Sequence, residues 1–535
     1  MFCEECGAQL EPGARFCENC GTPVPQENLT NASLASTHTE PQHQIYGLKE
    51  NGVIVTDLAV LANQLGSSKE NLSSLISDYI AFFLANGVSY SLIDLANPDL
   101  EAVIKAISQN NRTSKLKYVF ILGNEDVIPT MEFQNQSDDG DQTISSDLPY
   151  STLTIKSPFD GFEFSARKML RVGRLVSYQG ESFEKFASYF RNVMKSSGAF
   201  SSIKPYGISA KIWKKETDFE YQKVATNTKA ENSLPDSSPV VTVSTVENFI
   251  PRDANLLMFN LHGSDKTKYW YGQEEDSYPE AVQPESLSVL SAPYIIGVEA
   301  CYGANFCGNL EESQSILVKA MQSGCLSLLG SSRIAYGTPE PEGNCADFMI
   351  GEYLKQIKNG ETAGDSHIAG IRRVVKESED FTDVEIKTIA EFNLFGDPAL
   401  RIGDFAKISE SSAGAGSTET SSASAGSFTS SYKTSPRKSS FLTSIDVELP
   451  DIRRAVRQSL AQVDEKITSE INEHVYEHYA DLRGCMPTTY KIEGTNLFHS
   501  IYKKENGAGA ASQINRVVKI YFDKSGKIKK ELESK

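Results

Sequence analysis

Leu256-Leu257-Met258-Phe259-Asn260-Leu261-His262-Gly263-Ser264 and, further along, Tyr294-Ile295-Ile296-Gly297-Val298-Glu299-Ala300-Cys301-Tyr302-Gly303 are the stretches whose reading decides the fold. Each is a short apolar run, Leu256 to Asn260 and Tyr294 to Val298, that stops at a chemically able side chain. Runs of this length bounded by polar and glycine residues read as buried strands. In α/β proteins chemistry gathers where such strands end. A thiol near neutral pH needs a base to become a thiolate, and a histidine at the tip of a neighbouring strand supplies one without being close in sequence. Gly263 lets backbone approach a substrate closely, and its N–H is free to face a developing oxyanion. Cysteine alone at a strand end is ordinarily core packing. The two strings together, each with its glycine, point instead to nucleophilic catalysis.

The surrounding chain predicts the rest of a parallel sheet with helices on it. Leu58, Leu61, Leu65 and then Leu72, Leu75, Ile76, Tyr79, Ile80, Phe83 and Leu84 recur at helical spacing. Strands are expected over Gly87–Asp94 and Tyr118–Leu122, and an amphipathic helix over Glu181–Met194. Further strands are expected at Ser209–Trp213, Val240–Thr245, Leu256–Leu261, Tyr294–Val298 and Cys325–Leu329, then a helix at Asn344–Lys358. Strand and helix alternating in this way build a parallel sheet, and right-handed crossovers allow the His262 and Cys301 strands to lie side by side.

Residues 115 to 403 resemble the gingipain-type cysteine peptidases of the caspase-like clan CD. The resemblance rests on Lys117-Tyr118-Val119-Phe120-Ile121-Leu122-Gly123-Asn124-Glu125-Asp126-Val127-Ile128-Pro129, Asp147-Leu148-Pro149-Tyr150, Val172-Gly173-Arg174-Leu175, the His262 and Cys301 strings, Gly330-Ser331-Ser332-Arg333 and Asn393-Leu394-Phe395-Gly396-Asp397-Pro398-Ala399-Leu400 in that order. It implies a caspase/gingipain-like α/β/α sandwich with a mainly parallel sheet. It also implies Cys301 as nucleophile, His262 as general acid/base, and backbone N–H groups of Gly263 and Cys301 as oxyanion donors. No cofactor is needed for that chemistry, and the partner is a protein or peptide substrate. Asp147, Asp160 and Glu299 are candidates for an acid that orients the histidine. Trp270 and residues 331–341 are expected near the pocket for the residue before the scissile bond. Asp265, Asp276 or Glu299 would select a basic residue there, whereas Arg333 would select an acidic one.

At the N-terminus, Cys3-x-x-Cys6 and Cys17-x-x-Cys20, each pair followed by Gly7 or Gly21, have the spacing of two knuckles around a structural zinc. Four thiolates leave no open position for metal catalysis. Residues 1–22 thus form a small zinc ribbon, held together by its metal because so short a piece has no core. Glu4, Glu5, Glu11 and Glu18 against Arg15, and a net charge of −18 over 535 residues, argue against nucleic-acid binding. Met1-Phe2-Cys3-Glu4-Glu5-Cys6 lacks the pattern of a secretory signal, and no apolar run is of membrane-spanning length, so a cytoplasmic location is expected.

The remaining organisation is a flexible linker over 23–44, the peptidase domain over 45–405, a Ser-rich disordered linker over 406–445 and a C-terminal α+β module over 446–535. The linker's Lys433, Arg437 and Lys438 are possible self-cleavage sites. The module carries 15 basic and 14 acidic residues, so the acidity lies upstream. Ile452 to Tyr479 reads as one long helix, Thr488–Tyr502 and Arg516–Phe522 as strands, and Asp523-Lys524-Ser525-Gly526 as a hairpin turn. His474 and His478 read as a solvated pair, and Cys307, Cys325 and Cys345 as packing residues. The function expected is a cytoplasmic cysteine endopeptidase regulated through its ribbon or C-terminal module by a protein partner. The alternatives are an inactive protease-like scaffold and a zinc-ribbon adaptor.

Overall fold

Ten strands carry the site, and their order explains why His262 and Cys301 end up as neighbours. The computed structural model describes residues 50–402 and 451–535, apart from residues 197–199, 201, 292, 309, 342, 379–380, 454–457, 505–513 and 515. The proposed zinc ribbon and both linkers lie outside the described residues. In chain order the strands used below are β1 (Glu50–Thr56), β2 (Val88–Asp94), β3 (Tyr118–Leu122), β4 (Arg171–Leu175), β5 (Pro205–Ala210), β6 (Asp236–Ser238), β7 (Leu256–Asn260), β8 (Tyr294–Glu299), β9 (Cys325–Ser331), β10 (Tyr336–Gly337) and β11 (Phe392–Gly396). They are followed by β12 (Gln458–Leu460), β13 (Thr488–Ile492), β14 (Leu497–Lys503), β15 (Val517–Asp523) and β16 (Ile528–Ser534).

Among the described residues the large sheet runs β2-β1-β3-β4-β11-β9-β8-β7-β5-β6. Neighbours are parallel except at β9 and β11, which pair antiparallel. The sheet is therefore two parallel halves of opposite direction joined at one seam. Every residue of β3, β7, β8, β9 and β11 is buried, as expected of strands covered by helices on both faces. This is the α/β fold with a mainly parallel sheet that the sequence predicts. The register Asn260↔Glu299 brings the C-terminal ends of β7 and β8 together, so His262 and Cys301 follow directly from adjoining strand ends.

The helices are fixed by local chemistry. Phe183–Lys195 (α1) is capped by Ser182 and buries Phe186, Tyr189, Phe190 and Val193. Lys214–Ala225 (α2) follows a turn of 3-10 helix over Lys211–Trp213, so the strand expected at Ser209–Trp213 lies earlier, at Pro205–Ala210. Cys345–Lys358 (α3) begins with a capping box between Asn344 and Asp347. It crosses β8 so closely that a Cβ on Gly297 would come within 3.0 Å of Leu354. Ala363–Glu377 (α4) and Asp383–Glu391 (α5) complete the layer.

Several of the motifs that carry the resemblance are structural. Arg174, with no exposed surface, donates to Asp147 Oδ2 and Oδ1 at 2.8 and 2.6 Å and to the carbonyls of Gly123 and Ile128. Asp397 accepts from the hydroxyls of Tyr79 and Tyr90 at 2.8 and 2.6 Å. Such fully bonded buried charges fix one packing of the core.

Two expectations fail. Residues 240–245 form turns, not a strand: Pro239 cannot continue a ladder, and Thr242 N–H donates to Thr245 Oγ1 at 2.9 Å. The helix expected from Ile452 begins only at Glu465, as α6 (Glu465–His478), capped by Asp464. Before it, Asp451–Arg453 pairs with residues 162–164 and β12 pairs with β13. Helical spacing of apolar residues there coincides with strand pairing, and tertiary contacts decide.

The C-terminal strands form a second sheet, β10-β16-β15-β14-β13-β12. Its first strand, β10, belongs to the loop that follows β9, so the module adds its last strand directly beside the end of the large sheet. Among the described residues no helix is long and apolar enough to cross a membrane.

Candidate active site

Gly263 and Cys301 touch through their backbones. A Cβ on Gly263 would lie 1.7 Å from the Cys301 carbonyl oxygen, so only glycine fits after His262. Beyond Cys301, Tyr302 has φ 53°, a left-handed conformation that turns the chain sharply off β8. The turn is held by Tyr302 N–H to the Arg333 carbonyl at 2.8 Å and by the Tyr302 hydroxyl to Asp141. Asp141 is itself anchored by Lys387 Nζ at 2.6 Å and by Ile334 N–H at 2.9 Å.

The backbone N–H groups of Cys301 and Gly263 both donate to one oxygen, the main-chain carbonyl of Lys535, at 3.0 and 3.5 Å. Two N–H donors converging on one carbonyl oxygen beside a thiol form the geometry of an oxyanion hole. The Cys301 Sγ donates to the Ala335 carbonyl at 3.7 Å.

His262 is fully buried between the rings of Trp213 and Tyr278, with centroids at 4.3 and 5.2 Å. Its Nε2 meets Gln273 Oε1 at 2.6 Å, while Nδ1 has no hydrogen-bond partner. Gln273 thus holds the ring by Nε2 and leaves Nδ1 without a hydrogen bond. The group bonded to the ring is an amide, not one of the acids considered: Asp147 is paired with Arg174, Asp160 is exposed, and Glu299 stands in the pocket described next. Burial, with Arg516 nearby, pushes His262 well below the usual histidine range. Burial also pushes the Cys301 thiol far above the usual cysteine value. As it stands the pair is neutral thiol and neutral imidazole.

A closed acidic pocket lies next to this pair. Glu216 on α2, Glu299 at the end of β8 and Asp347 on α3 are fully buried, with carboxylate oxygens within 4.8 Å of one another. Lys535 Nζ reaches them: 2.9 Å from Asp347 Oδ1, 3.7 Å from Glu299 Oε2, and 4.3 Å above the Trp213 ring. Glu299 was expected as a pocket acid; Glu216, Asp347 and Trp213 were not, because they come from three separate elements. Trp270 instead packs on Phe259 and lines an open cleft with Ser264, Lys268 and Tyr302. Arg333 is engaged with Glu132 and the carbonyls of Thr143 and Ser332, so it does not face the pocket as an anion receptor. Asp265 lines the open cleft, and Asp276 lines a separate cavity with Arg516. Cys325 and Cys345 are buried and Cys307 is half-buried. His474 is not merely solvated: its Nε2 lies 2.8 Å from Glu531, while the His478 ring stacks on it.

A mainly parallel α/β sheet with these motifs in this order defines a caspase-like cysteine peptidase. The sequence model of peptidase family C25 matches residues 86–403, more than half of the chain, and the chain belongs to this family, the gingipain family of clan CD. A zinc-ribbon domain matches residues 2–24, which lie outside the described residues. No curated protein matches the chain. A solved structure titled "Structure of Protease" aligns at 10% identity over 92% of this chain and 91% of that chain, with a TM-score of 0.47.

Proposed function

We propose that this chain is a cysteine endopeptidase in which Cys301 is the nucleophile and His262 the general acid/base. The observation that carries the reading is the convergence of the Cys301 and Gly263 N–H groups on one carbonyl oxygen. In the reaction, the thiol proton passes to His262 Nδ1 and the sulfur attacks the scissile carbonyl carbon. The resulting oxyanion sits where the Lys535 carbonyl oxygen now lies, between the two N–H donors. His262 then gives its proton to the leaving amine as the C–N bond breaks, and water cleaves the thioester to restore the thiol. Gln273, bonded to Nε2, keeps the ring turned so that Nδ1 carries the proton traffic.

The accessory regions complete the proposal. Cys3, Cys6, Cys17 and Cys20 hold a structural zinc, and the ribbon or C-terminal module receives a regulatory protein partner in the cytoplasm. The test is alkylation mapped by mass spectrometry together with digestion of unfolded casein. Casein turnover, in the wild-type chain or after Lys535→Ala vacates the position between the two N–H donors, is expected to fall by on the order of 10³-fold or more when Cys301→Ala or His262→Ala is introduced into the same chain. Turnover that survives Cys301→Ala refutes the assignment.

A further inference from the structure

β16 runs antiparallel to β10, with Ser534 opposite Tyr336 and Glu533 opposite Gly337. The pairing continues one residue further, where Lys535 N–H donates to the Ala335 carbonyl at 2.9 Å. An extended segment added to a strand edge, its final carbonyl between the Cys301 and Gly263 donors, is how a peptide presents a scissile bond. The side chains before that carbonyl are also received individually. Glu533 accepts from Trp213 Nε1 and lies 2.8 Å from Arg516 Nη1. The Lys535 side chain passes Gly337, where a Cβ would come within 2.1 Å of its Cε, and ends among Glu216, Glu299 and Asp347.

We propose that β16 and Lys535 occupy the cleft as an internal substrate mimic: Lys535 fills a lysine-recognition pocket made by Glu216, Glu299, Asp347, Trp213 and Gly337, and the peptidase is latent until this strand withdraws. The proposal rests on the reading of Cys301 and His262 given above.

The pocket is built for an ammonium. Asp347 is fixed by its Oδ2, which accepts from the N–H groups of Thr338 and Asn344 at 3.0 and 2.9 Å, leaving Oδ1 to the lysine. Glu216 Oε1 and both oxygens of Glu299 accept no hydrogen bond. An unpaired buried carboxyl is costly, and the Lys535 ammonium is what compensates the trio. Burial first, then the other acids of the trio, push the Glu216 and Glu299 carboxyls well above the usual range. Burial alone would lower the Lys535 ammonium, but Asp347, Glu299 and Glu216 outweigh it and keep it charged. Lys535 and all three acids have no exposed surface, so the pocket ends at the ammonium and leaves no room for the longer, planar guanidinium of arginine. A tethered occupant acts at an effective concentration on the order of millimolar, which excludes peptides at micromolar levels.

The experiment compares full-length wild-type, Lys535→Ala and Lys535→Arg protein. The reagents are Glu-Ser-Lys and Glu-Ser-Arg acyloxymethyl ketones, with labelling mapped to Cys301, and Glu-Ser-Lys-aminocoumarin as substrate. In Lys535→Ala, labelling by the lysyl probe and lysyl turnover are expected to rise about tenfold or more over wild type. Adding the peptide acetyl-Leu-Glu-Ser-Lys should suppress that turnover competitively, and the lysyl probe should outpace the arginyl one at least tenfold. Lys535→Arg should resemble Lys535→Ala. Equal Cys301 labelling in wild type and Lys535→Ala overturns the latency, and arginyl preference overturns the lysine pocket; in both cases the peptidase assignment survives. Tight calcium binding by Lys535→Ala without lysyl preference would make the trio a metal site and overturn the proposal. Absence of Cys301 labelling and of casein turnover in every variant removes the peptidase reading itself.

Discussion

Replacing Gly337 by alanine separates occupancy of the pocket from use of the pocket. The added Cβ would stand 2.1 Å from Lys535 Cε and 2.6 Å from Asp347 Oδ1. Ordinary carbon contacts are about 3.5 to 4 Å, so the lysine must retreat by more than about 1 Å. The ion pair at 2.9 Å then stretches to about 4.5 Å. At an effective dielectric of about 20 the pair weakens from about 5.7 to about 3.7 kcal/mol, a loss of about 2 kcal/mol or roughly 30-fold in occupancy. Two readouts should move in opposite senses. Alkylation of Cys301 by iodoacetamide, which needs no pocket, should accelerate as Lys535 is displaced. Turnover of Glu-Ser-Lys-aminocoumarin should stay at or below the wild-type level, since a substrate lysine meets the same Cβ. Far-UV circular dichroism and the melting midpoint establish that the fold persists. If Gly337→Ala turns over the lysyl substrate faster than wild type, the seat of Lys535 is not where substrate lysine binds, and the steric argument is wrong.

Other perturbations test separate parts of the structure. Gln273→Ala should lower kcat about tenfold with little change in KM, while Gln273→Glu should raise the acid limb of the kcat/KM profile by placing a carboxylate on Nε2; a kcat unchanged in Gln273→Ala would remove its positioning role. Asp147→Ala strands Arg174 without its buried partner and should cost about 3 to 5 kcal/mol in urea unfolding, with no change in the lysyl-to-arginyl ratio of probe labelling. The urea midpoint of wild type relative to His367→Gln and to His499→Gln should fall between pH 7.5 and 5, because burial depresses His367 to about 4 and His499 to about 3 from an ordinary value near 6.5. Both are neutral in the folded state, so their contribution is complete above pH 6.5 and lost as pH falls toward the folded values, about 2 kcal/mol apiece by pH 5. A midpoint difference between wild type and either variant that is the same at pH 7.5 and 5 contradicts this. One zinc per chain by elemental analysis, lost in Cys17→Ser, is expected of the ribbon.

The strands bearing His262 and Cys301 were legible because buried parallel strands are written as continuous apolar runs, and their alignment follows from connection rules alone. The edge of the sheet was less so: β6 is three residues long, and the Thr242–Thr245 turn beside it carries the same β-branched composition as a strand. The pocket was nearly invisible, since Glu216, Glu299, Asp347 and Lys535 belong to α2, β8, α3 and the end of the module. Only Glu299, adjacent to the cysteine string, was within reach of a local argument. Gln273 escaped because an amide was not among the orienting groups sought. The helix of the module was placed too early because period alone does not distinguish a helix face from a strand whose partner lies far away in sequence.

Occupancy and electrostatics at Cys301 are one event. The thiol is pushed up by burial, and part of what buries it is the chain segment lying across it, with Lys535 N–H on Ala335 and its carbonyl on Cys301 N–H. His262 is pushed down by burial first, then by Arg516, with Lys535 adding to the effect. Withdrawal of β16 admits water and removes a cation, so the thiol falls toward about 8.5 and the imidazole rises toward about 6.5. The strand therefore blocks the cleft and also holds both reacting groups in their unreactive forms. The consequence is a pH signature that steric blockage alone would not produce. Iodoacetamide should alkylate Cys301 of the wild-type chain slowly at every pH up to 9, without an inflection. In Lys535→Ala the rate should rise with an inflection near or below 8.5, the mark of a solvated thiol assisted by a nearby base. If both proteins show the same inflection and differ only in absolute rate, the strand shields the thiol without changing its ionisation, and the two effects are separate after all.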